Sequence, residues 1–122
     1  MRDDIFRQDD QYDQMSTPDL LKRLQEKNIL SRTRSLAALA RRVTQDRGVV
    51  EQVVKAISDP ENMHKRLMGT ISISHIGFAC LWENGSTADR VLLYDLLNKW
   101  PEPDRTDLLW FLESQSILVE PN

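Results

Sequence analysis

Between residues 61 and 82 the chain reads ENMHKRLMGTISISHIGFACLW, charged at its start and continuously apolar from Ile76 to Trp82. Taken as a helix, Leu67, Met68, Ile71, His75, Phe78 and Trp82 recur at spacings of one, three or four and share a face. Ile73, Ile76 and Cys80 form a second line beside it, so the last turns are apolar on most sides and have to be buried. Thr70 to Ser74 alternate and include β-branched residues, which would also suit a strand. The other extended candidate is 116–120, and two short isolated strands make a poor sheet, so the pattern favours one helix over 60–82. Asp59 and Pro60 supply its cap and first position, and Asn84-Gly85 its stop.

Shorter amphipathic segments flank this spine. Thr17 and Pro18 open a helix running to about residue 28 that buries Leu20, Leu21 and Leu24, with Ile29 and Leu30 tucked under the following turn. Ser31 is the expected cap of a second helix, whose inward face is Leu36, Leu39, Ala40 and Val43, while Ala37 and Ala38 admit a close neighbour. A third, 49–58, carries Val49, Val50, Val53, Val54 and Ile57; its valines are weak helix formers, so packing has to hold it. After the spine, Ser86 or Thr87 caps a helix over 88–99 that presents Val91, Leu92, Leu93, Leu96, Leu97 and Trp100. A proline corner at 101–104 leads to the last helix, 105–114, with Leu108, Leu109, Phe111 and Leu112 inward and Trp110 alongside. Residues 117–122 are expected to fold back over the final pair.

The pattern therefore predicts an all-α fold of about six helices in antiparallel hairpins. An acidic, flexible tail over 1–16 would precede a single helical domain over 17–122. A shift of 41 residues lays Pro60-Glu61 on Pro101-Glu102, Leu67, Met68 and Ile71 on Leu108, Leu109 and Leu112, and Val50, Val53 and Ala56 on Val91, Tyr94 and Leu97. Helix, proline corner, helix at this period resembles the HEAT and armadillo repeat superfamily, and the resemblance implies a short right-handed stack of hairpins over about 31–114. A compact six-helix bundle is the structural alternative.

Composition changes this picture little. The chain has 122 residues, enough for one domain with a real core, and 40% hydrophobic against 29% charged residues is ordinary for a globular protein. No apolar run reaches the roughly 18 to 20 residues that cross a bilayer, and the first residues, MRDDIFRQDD, do not look like a targeting signal. One cysteine suits a reducing compartment, and the expected location is cytoplasmic.

Charge changes it more. Residues 1–21 hold two basic and six acidic groups, residues 22–47 eight basic and two acidic, and residues 48–122 six basic and eleven acidic. The acidic, basic, acidic order offers three roles for the arginines: meeting the protein's own acidic segments, docking an acidic protein partner, or holding nucleic-acid phosphates. The basic block contains no aromatic residue for stacking on bases, and the chain's pI is near 5.3, which weighs against the last.

Candidate chemistry is sparse. Ser72 and His75 are three apart and could touch on a helix, with Cys80 nearby, but no acid is placed to complete a nucleophile and base pair. His64 and His75 are eleven apart, roughly 16 Å along one helix, too far to share an ion. Gly48, Gly69, Gly77 and Gly85 are scattered, so there is no phosphate loop. Neither cofactor nor metal is expected. The residues expected to contact a protein partner, or a second copy, are Arg34, Arg41 and Arg42 with Lys65, Arg66 and Trp110, a tryptophan being a strong interface anchor when exposed. The expected function is that of a small non-catalytic adaptor, with nucleic-acid binding through the 22–47 block as the alternative.

Overall fold

The computed structural model describes residues 9–119 of the chain. It is all-α, with eight helices among the described residues: α1 (Asp10–Asp13), α2 (Thr17–Arg23), α3 (Ile29–Arg41), α4 (Val50–Ser58), α5 (Pro60–His64), α6 (Ile73–Asn84), α7 (Thr87–Lys99) and α8 (Asp104–Ser114). A 3-10 turn at Arg47–Val49 leads into α4. Of the acidic segment 1–16, residues 1–8 lie outside the described residues, and Asp10–Asp13 form α1 against α3.

Helix α6 is the axis. Every residue from Ile73 to Trp82 is buried, and α3, α4, α5, α7 and α8 all pack on it. Its apolar residues point to all sides because each side meets a neighbour. Phe78, Leu81 and Ile73 from α6 join Leu36 and Leu39 from α3, Ile57 from α4, Leu93 from α7, and Leu108 and Phe111 from α8 in one core. Trp82 and Trp100 flank Phe78, their ring centroids 6.3 and 6.0 Å away.

The continuous helix expected over 60–82 is corrected by the structure. Helix α5 stops at His64, and the chain makes a two-stranded hairpin, β1 (Arg66–Met68) against β2 (Ile71–Ser72), before α6 begins. Three local features break the spine. Gly69 adopts φ +57°, a left-handed turn that residues with a side chain rarely take. Ile71 is β-branched and fits the pleat. Ser72 starts a new helix: its Oγ accepts from the His75 amide while the His75 ring accepts from the Ser72 amide, a reciprocal cap. The Ile73 amide also donates to the Lys65 carbonyl at 3.2 Å, closing the base of the hairpin. As a result Leu67, Met68 and Ile71 lie in extended chain, whereas Leu108, Leu109 and Leu112, their counterparts under the 41-residue shift, lie in α8.

Several boundaries move by a few residues. Ser16, not Thr17, caps α2, accepting from the Asp19 amide, and the helix ends at Arg23. Asn28, not Ser31, caps α3, accepting from the Ser31 amide at 2.9 Å. Asparagine is an equally good cap, and starting there adds most of a turn before Arg32. Leu30 then faces outward, 60% exposed, instead of tucking under a turn. Asp59 caps α5, Ser86 caps α7, and α6 ends at Asn84 before Gly85, as the residue pattern indicates. Val91 and Leu92 of α7 are corrected from inward to exposed positions, since only Leu93 and Leu97 of that helix are fully covered among its apolar residues.

Candidate interaction surfaces

The arginine row of α3 meets the chain's own N-terminal segment. Asp9 caps α1, and its carboxylate also receives two bonds from Arg34, Nε to Oδ2 at 2.8 Å and Nη2 to Oδ1 at 3.0 Å. The same guanidinium lies over the ring of Tyr12, 4.2 Å from the centroid, and Tyr12 is buried. Asp13 Oδ1 accepts from Arg41 Nε at 3.1 Å and Nη2 at 2.8 Å. Arg42 donates to Thr17 Oγ1 at 3.2 Å and to the Asp13 carbonyl at 3.3 Å. The Arg34 hydrogen bond holds the Asp9 carboxyl below the usual carboxylate range despite partial burial, and the same bond raises Arg34.

Two further arginines of the basic block are tied to other parts of the fold, Arg32 buried and Arg47 half exposed. Arg32 is buried, giving Nε and Nη2 to the Glu26 carbonyl at 3.0 and 2.7 Å and Nη1 to Asn62 Oδ1 at 3.0 Å. Arg47 binds both carboxylate oxygens of Asp89 at 2.8 Å, and Asp89 in turn caps α7 through the Ser86 amide. The partners lie far off in sequence: Glu61 and Asn62 are 29 and 30 positions from Arg32, and Asp89 is 42 positions from Arg47.

Lys65 and Arg66 stand elsewhere, on the hairpin beside α8. Arg66 donates to the Thr70 carbonyl at 2.8 Å and lies 3.6 Å from Asp104 and 3.7 Å from Asp107. His64 approaches Asp104 at 3.0 Å, and Lys65 is exposed. The six expected contact residues therefore fall on three surfaces: Arg34, Arg41 and Arg42 with α1, Lys65 and Arg66 on the hairpin, and Trp110 on α8.

Trp110 is 63% exposed, unlike the buried Trp82 and Trp100. The core takes Leu108, Phe111 and Leu112, which turns Trp110 and the 44%-exposed Leu109 outward. Ser116, at φ 60°, folds the chain back so that the Ile117 amide reaches the Leu112 carbonyl at 2.9 Å. Ile117 enters the core, while Leu118 stays 73% exposed. An open groove of about 400 Å³ runs between α8 and the returning chain, lined by Leu109, Leu112, Glu113, Ser116, Ile117 and Leu118, and Trp110 lies outside this lining. Leu118 was missed in the sequence because nothing in the apolar run 117–119 says which residue turns away.

No family model, curated protein or solved structure matches this chain. The resemblance to HEAT and armadillo repeats rests on residue spacing alone.

The candidate nucleophiles sit inside the core. Ser72 and His75 hold each other as the cap of α6, and His75 stacks on Phe111 with centroids 5.6 Å apart. Burial pushes the His75 pKa down to about 4, with nearby Arg66 acting in the same direction and Asp104 opposing. The Cys80 thiol is pushed up to about 12, chiefly by burial. Neither residue borders the groove on α8. Among the described residues, no group of three or more His, Cys, Asp or Glu side chains could hold a metal ion. No helix among them is long and apolar enough to cross a membrane.

Proposed function

We propose that this protein is a small, non-catalytic adaptor or accessory subunit that binds another protein through the outer face of α8 and the segment folded back behind it. The observation that carries this reading is the exposure of Trp110, 63%, with Leu109 and Leu118 beside a groove of about 400 Å³. A large indole left in water on the same helix as a groove lined by exposed leucines suits an interface anchor, which gains most when a partner covers it. Glu113 at the groove edge adds a polar rim. The burial of Ser72, His75 and Cys80 fits a role without catalysis, and a cytoplasmic setting fits the single thiol.

Kinship with HEAT and armadillo repeats remains part of this reading only through the helix, proline corner, helix period. Nucleic-acid binding by the 22–47 block is less well supported, because the block has no aromatic residue to stack on bases and Arg32 and Arg47 are held by acceptors elsewhere in the fold. The test is affinity capture from source cells with wild-type protein and with Trp110→Glu. The same protein partner should be recovered with the wild type and lost with the variant while the variant keeps its helical spectrum. Recovery in equal amount with both proteins would overturn the assignment of the α8 face.

A further inference from the structure

The α1 segment is held by side chains more than by helical content. Four residues make about one turn, far below the roughly 12 to 15 that a helix needs to persist alone. Its grip on α3 includes Asp9 and Gln11 on Arg34, Asp13 on Arg41 and Arg42, and buried Tyr12 beneath Arg34 with its hydroxyl 3.4 Å from Ser31 Oγ. The Asp9 and Asp13 side chains keep 21% and 24% exposure, so competing anions can reach both pairs. The row beneath is anchored independently. Leu36, Ala37, Leu39 and Ala40 of α3 are fully buried, and α3 packs on α6 and α2, so the helix carrying Arg34, Arg41 and Arg42 has contacts of its own apart from α1. An open notch of about 490 Å³, lined by Asp13, Thr17, Arg41, Arg42, Gln45 and Asp46, gives access to the Arg41 and Arg42 end of the row from the side.

We propose that the Arg34, Arg41 and Arg42 row is a docking site for an acidic partner segment with an aromatic ring between its carboxylates, and that residues 9–13 occupy this site in cis until displaced. The chain's own segment defines the chemistry of the occupant. Carboxylates four positions apart meet two guanidiniums, and a ring at the third position after the first carboxylate slides beneath Arg34. A nucleic-acid backbone fits less well, because Asp46 stands in the notch and the slot under Arg34 takes a ring flanked by carboxylates. The covalent tether keeps the internal segment at a high local concentration, so a partner gains the site only with a stronger segment or after the internal one is weakened. This surface is separate from the α8 face and stands or falls without it.

The test uses a fluorescent peptide with the sequence of residues 9–16 and the full-length protein. Asp9→Asn/Asp13→Asn weakens both ion pairs while asparagine at position 9 can still cap α1. By anisotropy, the double variant should bind the peptide about tenfold or more tighter than the wild type does. Adding Arg34→Gln and Arg41→Gln should abolish that gain, as should asparagines in the peptide. Equal affinity for wild type and double variant overturns the proposal, and so does a gain that survives loss of the arginines, or uptake of the peptide into a dimer by arm exchange. Should the double variant fail to fold, hydrogen exchange of the wild type decides. The amides of Asp13 and Met15, bonded to Asp9 and Tyr12 carbonyls, should exchange by local opening that quickens with salt while α6 stays protected. Exchange of those amides only together with α6 overturns the proposal.

Discussion

Gly77 of α6 lies so close to Leu36 of α3 that a β-carbon at position 77 would stand 2.5 Å from Leu36 Cδ2, and 3.0 Å from Ile57 Cγ1 on α4. The glycine is what lets α3, α4 and α6 come together. Alanine would improve helix propensity by about 1 kcal/mol. Leu36 and Ile57 are fully buried, however, so any shift that makes room disturbs packed neighbours. Gly77→Ala is therefore expected to destabilise the fold by about 1 to 3 kcal/mol in denaturant unfolding, the overpacking outweighing the propensity. A more stable variant would contradict the close crossing.

His75 makes stability pH-dependent. Its folded pKa is lowered to about 4 from an ordinary 6.5, so the unfolded chain takes up the proton first. Its stabilising contribution is whole above pH 6.5, declines as pH falls, and is gone by about pH 4, a loss on the order of 3 kcal/mol. His75→Gln keeps an acceptor for the reciprocal cap with Ser72 but cannot titrate. Unfolding free energy measured across this range should slope steeply in the wild type and less in His75→Gln. Equal slopes would place the titration elsewhere.

Arg32 and Arg34 share a helix and differ in what surrounds them. Arg32 spans the Glu26 carbonyl and Asn62 from a side chain only 9% exposed, while the Arg34 side chain is 31% exposed over Asp9. Lysine cannot reproduce the fork of Arg32 and would leave a buried acceptor without a donor. Arg32→Lys is expected to cost about 2 to 3 kcal/mol and Arg34→Lys less than about 1 kcal/mol, in parallel thermal and denaturant melts. Equal losses would show that Arg32 is not an internal strut.

The boundary signals that proved legible are those written in two or three adjacent residues: Asp59-Pro60 opening α5, Asn84-Gly85 ending α6, and Ser86 capping α7. The hairpin at 66–72 was hidden because Leu67, Met68, Ile71 and His75 happen to keep helical spacing across it. What decides against a helix there is the φ of Gly69 and the cap shared by Ser72 and His75, both of which favour restarting the chain. The candidate surfaces were half legible. Charge layout foretold that acidic and basic segments could meet, but the pairing of Asp9 with Arg34 and Arg47 with Asp89 depends on packing between distant elements. Likewise three tryptophans near helix ends look alike in sequence. Only the side of α8 that faces the core separates exposed Trp110 from buried Trp82 and Trp100.

The adaptor reading turns on Trp110 being open in the free protein and covered in the complex. Iodide quenching of tryptophan emission measures this directly, because Trp82 and Trp100 are 7% and 6% exposed and contribute little quenchable signal. In the free protein, quenching should be strong and should almost vanish in Trp110→Phe. In complex with the captured partner, wild-type quenching is expected to fall to the level of that variant. Quenching that is unchanged in the complex would contradict the α8 face as the binding surface.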